Sequence, residues 1–554
     1  MNFKKIALTG LLAAASATTW VQADTGHQEL HKKYRRLFTV DSTTLKAPEN
    51  WFNLDFANDK VPGISTEKAY GLLQNRTPRT VIVAIIDSGI DIKHEDLQGI
   101  IWVNAKEVAG NGVDDDKNGY VDDVNGWSFL GGKSGENVKD DTYELTRQYA
   151  RLRQKFENPK SKKIKRKDRA EYAQYQKIKV DYEKEVAEAK AQAADFEKFY
   201  DTFKQAQGII QKQLGKTEYT QPEVEAITSP DLRVMKSKAL LQYAYENNLV
   251  EEIKKAAEHF DYVLKVGLNP DYDPRSIVGD DYSNVKDKFY GNGDVIGPDA
   301  EHGTHVAGIV GANRKNNLGV KGIADNVKIM PIRAVPNGDE RDKDIANAIY
   351  YAVDNGAQVI NMSFGKKYSS DKEAVDAAMK YAESKGVLLV HAAGNDGEDL
   401  DQTPNYPTRK LKNGQTIANW LEIGASSWEN SEKFVASFSN YGKQSVDVFA
   451  PGVDIYSLKP NQEYNENSGT SMASPVTTGV AALLFSYFPD LTAAQVRDII
   501  LKSSVKYATL EVAKPGTTKK TEANLVPFGT LSITGGEVNA YQAVKMAEQL
   551  TAQK

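Results

Sequence analysis

The chain has 554 residues, with 70 basic and 75 acidic side chains, a net charge of −5 and no cysteine. The near balance of charge argues against nucleic acid as a partner, and the lack of thiols excludes disulfide staples, thiol catalysis and a lipid-modified cysteine. The length leaves room for more than one domain.

Residues 1–23 open on Met1-Asn-Phe-Lys-Lys5, pass through a Leu- and Ala-rich middle and end at Val21-Gln-Ala23, the pattern of a secretory signal peptide cut after Ala23. No later stretch approaches the roughly 20 apolar residues of a membrane span, so a soluble exported protein, extracellular or periplasmic, is expected. Residues 24–50 follow as an N-terminal extension. Val81 to Ile86 is an apolar, β-branched run that reads as a strand buried on both faces, and Asp87-Ser88-Gly89 turns the chain at its end. A carboxylate there sits at the C-terminal edge of a parallel sheet, where open α/β folds place their sites.

Asp114 to Asp123 sets oxygen side chains at alternate positions, Asp114, Asp116 and Asn118, with Gly119 next for a sharp turn. This is the D-x-D-x-N-G opening of an EF-hand-type loop, with Tyr120 offering its carbonyl and Asp122 a later carboxylate. Asn125 stands where the closing Glu is expected, which leaves Asp123 or water to complete the shell. Clustered carboxylates repel one another unless neutralised, so structural calcium is the expected cofactor.

Residues 135–270 are rich in Lys, Glu, Ala, Gln and Tyr, the composition of exposed helices. Asp141-Thr-Tyr-Glu144 resembles a capping box, Pro159 interrupts, Lys160 to Arg169 is strongly basic, and a long helical pattern runs from about Asp168 to Leu214, stopped by Gly215. Tyr172, Tyr175, Ile178, Tyr182, Val186, Phe196, Tyr200 and Phe203 recur three to four apart and form one stripe. With further starts at Thr220-Gln-Pro-Glu223 and Ser229-Pro-Asp231, a helical hairpin or small bundle is predicted. Its interleaved charges read as a solvated face, with a cap over the cleft or an interaction arm as alternatives.

His302, in EHGTHVAG, precedes the small and apolar Val306, Ala307, Ile309 and Val310, which suit a helix packed closely on a sheet with the imidazole at its first turn. Val387–Val390 reads as a further buried strand and leads into His391-Ala-Ala-Gly-Asn395. Ser471, in SGTSMASP, opens a buried helix, its hydroxyl and N–H at the positive end of the dipole. Leu491-Thr-Ala-Ala-Gln495 caps another amphipathic helix, and Glu537 to Val544 begins the last, after which the chain ends too soon for a C-terminal binding or sorting domain.

A serine hydroxyl is a poor nucleophile until an imidazole takes its proton and a carboxylate orients that imidazole. Asp87, His302 and Ser471 supply the set, and an amide at the end of a strand beside the hydroxyl could donate to an oxyanion together with the Ser471 N–H. These stretches resemble those of the subtilases, the subtilisin-like serine proteases, over roughly residues 60–130 and 270–505. The resemblance implies an α/β fold with a mostly parallel sheet and helices on both faces, its catalytic parts, 51–134 and 271–554, split by the helical insertion 135–270. It implies an endopeptidase acting on polypeptides, with Asn395 as oxyanion donor and Ser363, Phe364 and Gly365 as the strand that pairs with substrate. By the same resemblance, Ala392, Ala393 and Gly394 would form the opposite wall. Small apolar walls predict broad cleavage with large apolar residues before the cut, and Glu398, Asp399 and Asp401 beyond them offer basic residues as the alternative. The resemblance also carries a structural calcium to Asp96 in His94-Glu-Asp-Leu97. Trp51 to Tyr70 resembles the start of a mature catalytic domain, and the extension before it is too short for the folded inhibitory propeptide of many secreted subtilases. A monomer is expected. The rival reading is a catalytically inactive interaction protein that uses the helical arm. An α/β-hydrolase is a poor fit, because Gly469-Thr-Ser471-Met-Ala473 is not its nucleophile elbow.

Overall fold

The structure, a computed structural model, describes residues 46–157, 164–247, 249–507, 509–517 and 524–552. The signal peptide, most of the N-terminal extension, Pro159 and the first residues of the basic run lie outside them. The chain forms two compact units, one from 47–148 with 272–554 and the other from 149–271.

In the first unit the apolar runs build a sheet of nine strands among the described residues. They are β1 (Val81–Asp87), β2 (Trp127–Ser128), β3 (Val327–Arg333), β4 (Val359–Met362), β5 (Leu388–Ala392), β6 (Trp420–Ser426), β7 (Val448–Pro451), β10 (Val505–Lys506) and β13 (Gly536–Glu537). Two antiparallel pairs stand apart, β8 (Ile455–Lys459) with β9 (Glu463–Asn467) and β11 (Glu511–Ala513) with β12 (Leu525–Pro527). The order in the sheet is β10-β13-β7-β6-β5-β4-β1-β3-β2, and each neighbouring pair is parallel except β10 with β13.

β1 is apolar throughout because both its faces are covered. Val81, Val83 and Ile85 join a core with the helices Glu301–Gly311 and Thr470–Tyr487, while Ala84 and Ile86 join a second core with the helices Asp342–Asp354 and Lys372–Ser384. β3 lies on one side of β1 and β4 on the other, so the order of construction reverses at β1. The chain therefore diverges at the carboxyl ends of β1 and β4 and opens a crevice there. Trp51 is fully buried in this unit, its indole N–H donating to Val453 O at 3.0 Å.

Thr492 and Gln495 form a reciprocal capping box for the helix Ala493–Ser503. Two expectations at helix starts differ from the structure. The helix expected to open with a cap at Asp141 begins at Glu144, and the Asp141 carboxylate instead grips Arg341 with bonds of 2.7 and 3.0 Å. The final helix begins at Ala540 and not at Glu537, which lies buried in β13 with its carboxyl bonded to Ser426 Oγ. In both cases a long-range partner outcompetes the local cap.

The second unit is helical. Its longest element, Arg169–Leu214, spans 46 residues and stops at Gly215, whose φ of 64° is the left-handed C-cap conformation. At 1.5 Å per residue it reaches about 70 Å. Phe196, Phe199, Phe203 and Ile210 from its C-terminal half share a core with Val234, Leu241 and Ile253 from the helices Leu232–Glu246 and Leu249–Tyr262. In its N-terminal half Tyr175, Ile178 and Tyr182 are buried, and Tyr182 stacks on Tyr149 at 4.1 Å between centroids. The unit begins at Tyr149, later than the composition change at residue 135, because Asp141, Glu144 and Arg147 are tied into the first unit.

Leu484, fully buried in the helix that carries Ser471, is the fold's most direct test. Leu484→Ala is expected to destabilise by about 2–5 kcal/mol, and Thr492→Ala, which removes a cap, by about 1 kcal/mol. Urea unfolding with an unchanged slope measures both.

Candidate active site

The site forms where β1 ends. His302 stands in the first turn of the helix Glu301–Gly311, beside Gly303, and that helix lies so close to β1 that a Cβ on Gly303 would fall 2.2 Å from Gly89 O and 3.1 Å from Asp87 Cβ. The close approach brings His302 Nδ1 to 2.7 Å from Asp87 Oδ1. Asp87 is buried, and the same Oδ1 accepts from the Ser88 N–H at 2.8 Å. Burial opposes protonation of the imidazole, but the side chain is 41% exposed, which limits that effect. The charge and hydrogen bond of Asp87 prevail, and the pKa of His302 lies above its ordinary value.

Ser471 is the second residue of the helix Thr470–Tyr487. Its Oγ donates to Ser363 O at 3.0 Å, not to His302, and its carbonyl accepts from Ser363 Oγ at 2.9 Å. The second bond follows from Pro475, which has no N–H to give the carbonyl four residues back, so Ser363 takes that acceptor. Asn395 follows β5. Its Oδ1 accepts from Thr470 N at 2.9 Å and from Thr470 Oγ1 at 3.0 Å, which turns its Nδ2 away from Thr470. A Cβ on Gly469 would lie 3.5 Å from Asn395 Nδ2 and 3.6 Å from Ser471 N, so these two donors border one small space that the glycine keeps open. The arrangement joins a carboxylate-held imidazole, a hydroxyl at a helix N-terminus and two convergent N–H donors on one rim of one sheet.

The model of the subtilase family matches residues 79–529. The chain belongs to the subtilase family. It is 40% identical over 228 residues to a thermophilic serine proteinase of Bacillus sp. (strain AK1), a match covering 40% of this chain and 51% of the relative. It is 43% identical over 201 residues to subtilisin DY of Bacillus licheniformis, covering 36% of this chain and 68% of the relative. Minor extracellular protease Epr of Bacillus subtilis (strain 168) is 34% identical over 293 residues, covering 52% of this chain and 41% of the relative. The subtilase chain thus spans about half the length of the first of these relatives.

The substrate-binding residues expected from the sequence are only partly turned to the crevice. Ser363 is buried, with its side chain spent on Ser471 O, and accepts from Asn361 Nδ2 at 2.9 Å. Phe364 is mostly buried, its ring 6.3 Å from that of His391. Ala392 and Ala393 are buried, so their wall is made of backbone, while Gly365 is exposed and Gly394 half-buried. Gly394 N donates to Thr470 Oγ1 at 3.0 Å. Sequence reasoning missed Asn405, which donates to Ala392 O at 3.2 Å and to Ala393 O at 3.1 Å. It also missed Lys366, buried after Gly365 and paired with Asp342 at 2.7 Å. The turn-rich Pro404-Asn-Tyr-Pro407 was the one visible signal for Asn405.

Of the calcium residues read from the sequence, the structure gathers some and separates others. Carboxylate oxygens of Asp114 and Asp116 lie within 4.8 Å of one another and of Glu107, a residue the loop pattern did not include. Asn118 Oδ1 accepts from Tyr120 N at 2.8 Å, and the Tyr120 ring is buried. Asp122 turns away from the group and accepts from the amides of Gly110 at 2.8 Å and Gly112 at 2.9 Å. Asp123 is buried and bonds Asn104, Asn118 and Tyr351 at 2.8, 3.0 and 2.7 Å. Asn125, at the closing position, donates to Trp102 O at 3.0 Å. At the second place, Asp96 Oδ1 accepts from Asn316 Nδ2 at 2.7 Å, whereas its Oδ2 is buried with no hydrogen bond among the described residues. Burial raises the Asp96 pKa against the pull of Asn316, as befits a carboxylate short of counter-charge.

His302 should titrate, by NMR of its ring protons, with a midpoint above the ordinary value of about 6.5. Asp87→Asn should bring the midpoint down, because the charge is lost while the burial remains. A midpoint indifferent to Asp87 would contradict the pairing.

Proposed function

We propose that this subtilase is an exported serine endopeptidase. Ser471 Oγ leaves Ser363 O, passes its proton to His302 and attacks the peptide carbonyl. Asp87 holds the imidazolium through Nδ1, and Asn395 Nδ2 with the Ser471 N–H receives the oxyanion. His302 then returns the proton to the leaving amine, and water releases the acyl group from Ser471 by the same steps in reverse. The observation that carries the reading is the 2.7 Å Asp87–His302 pair on the rim that also holds Ser471 and the two donors beside Gly469.

An extended polypeptide pairs along the edge that follows β4 at Gly365, and main-chain recognition of this kind tolerates many sequences. Export is supported by the signal-like start of the sequence and by a relative named an extracellular protease. Among the described residues no helix is long and apolar enough to cross a membrane. The enzyme acts as a monomer on this reading. Calcium is proposed at Glu107, Asp114 and Asp116, whose carboxylate oxygens cluster, and at Asp96, whose Oδ2 has no hydrogen bond among the described residues, and it would supply counter-charge to the fold and no part of the chemistry. An inactive interaction protein is disfavoured because each member of the catalytic set is present.

A fluorophosphonate probe should label the wild type and leave Ser471→Ala unlabelled; an unlabelled wild type would refute the reading. Asn395→Ala should lower kcat by about 10²–10³, the loss measured in subtilisin itself on removing such a donor. Since His302 must be neutral to act as base, kcat/KM should fall on the acid side with a midpoint above about 6.5. EGTA should lower the unfolding temperature, with a smaller drop in Glu107→Gln and Asp96→Asn. An unchanged transition would remove calcium from the account.

A further inference from the structure

The edge that follows β4 at Gly365 continues into Lys366, whose side chain is buried. Its main chain is in use on one side, with Lys366 N donating to Tyr406 O at 3.1 Å and Tyr406 N to Lys366 O at 2.7 Å. The ammonium is held from two places in the chain. Nζ lies 2.7 Å from Asp342 Oδ1 and donates to Glu340 O at 2.5 Å, both in the stretch that leads into the helix Asp342–Asp354, and it lies 3.7 Å from Glu144 Oε2.

Glu144 is fully buried and opens the helix Glu144–Phe156. Its Oε2 also accepts from Arg147 Nε at 3.0 Å and Nη2 at 2.8 Å, so one carboxylate serves two cations. Glu144 N donates to Asp339 Oδ2 at 2.8 Å, and Arg147 Nη2 donates to the carbonyls of Asp339 at 3.0 Å and Glu340 at 3.1 Å. The first turn of this helix and Lys366 thus grip the same short stretch, residues 339–342. The helix runs on unbroken through Gln148 and Tyr149, where the first unit gives way to the second. At that end the insertion is joined to the stretch by helix and not by a loop.

We infer that Lys366 is a positioning residue for the edge that pairs with polypeptide and that Glu144, at the root of the helical insertion, fixes its place, which gives the insertion a part in substrate binding. The inference rests on the serine-endopeptidase reading. A buried ammonium stays with its anions, because leaving them exposes the full cost of its burial. Gly365 is its neighbour in the chain, so the height of the edge follows the position of Nζ. With Glu144 neutral, Lys366 and Arg147 lose the charge they share and remain as two buried cations, which repel. The bonds that join Asp87 to His302 and Ser471 to Ser363 do not run through Lys366 or Glu144. A displaced edge therefore weakens pairing with an extended chain and leaves the proton relay in place.

The test compares a peptide extended on the acyl side of the cut with p-nitrophenyl acetate, a small ester that acylates Ser471 without pairing along the edge. In Glu144→Gln, kcat/KM for the peptide should fall by about tenfold or more, mainly through KM, because main-chain pairing is made in the ground state and the transition state alike. Ester hydrolysis and fluorophosphonate labelling of Ser471 should stay near the wild-type level. In a Ser471→Ala background, adding Glu144→Gln should raise the Kd of the same peptide by a similar factor. A labelled wild type whose Glu144→Gln loses no more on the peptide than on the ester overturns the inference alone. A wild type that does not label brings down the catalytic reading and this inference with it. If Glu144→Gln does not fold, Lys366→Arg decides by the same comparison. It keeps the charge, but a planar fork cannot stand where a compact ammonium meets three oxygens, so the peptide should again lose more than the ester.

Discussion

Position in this structure is set by the side chain of Asn361, fully buried in the middle of β4. Its Oδ1 accepts from Ser474 Oγ and Thr478 Oγ1, each at 2.9 Å, and its Nδ2 donates to Ser363 Oγ at 2.9 Å. Ser363 passes the connection on to Ser471 in both directions. Apolar packing alone would hold the helix Thr470–Tyr487 against the sheet but would resist sliding along its axis only weakly. Directional bonds from residues four apart on that helix fix it at one height. Leaving such a buried group unpaired costs about 1–3 kcal/mol, so a shifted helix is penalised several times over. The position of Ser471 relative to Asp87 and His302 is thus decided inside the core.

Much of the fold was legible because its signals are local. The strands announce themselves as short apolar runs, the long helix ends on the glycine that its stripe points to, and Thr492 with Gln495 caps as written. The candidate catalytic set was legible for another reason: each member sits in a short stretch whose small neighbours serve the chemistry, as Gly303 and Gly469 do. What escaped depends on distant segments. Asp141 looks like a cap until Arg341, two hundred residues on, claims it. Glu537 looks like the first turn of a helix, yet it pairs with Ser426 from β6. Asn405 lies in an ordinary turn motif, and only the fold brings its amide to the carbonyls of Ala392 and Ala393. Glu107 precedes the acidic loop by seven residues and joins it through a fold-back that no spacing rule encodes.

The roots of the helical insertion, on the side of the first unit, are held by charge. Arg341 pairs with Asp141 and also with Asp273 at 2.9 Å, Arg275 binds Asp344 at 2.7 Å and Asp280 at 2.6 Å, and Lys343 reaches the same Asp280. Buried pairs of this kind add little net stability over an apolar core, but removing one partner is expensive, about 3–5 kcal/mol, because the other charge is left stranded. They serve best to hold both ends of the insertion in register with the helix Asp342–Asp354.

That network dictates where the molecule can be shortened. Excision at the change in composition, from residue 135, would delete Asp141 and Glu144 and strip the buried Arg341 of its two-pronged anchor. A junction between Gln148 and Tyr272 keeps every one of those carboxylates, and it is the suture line for grafting a different arm onto this scaffold.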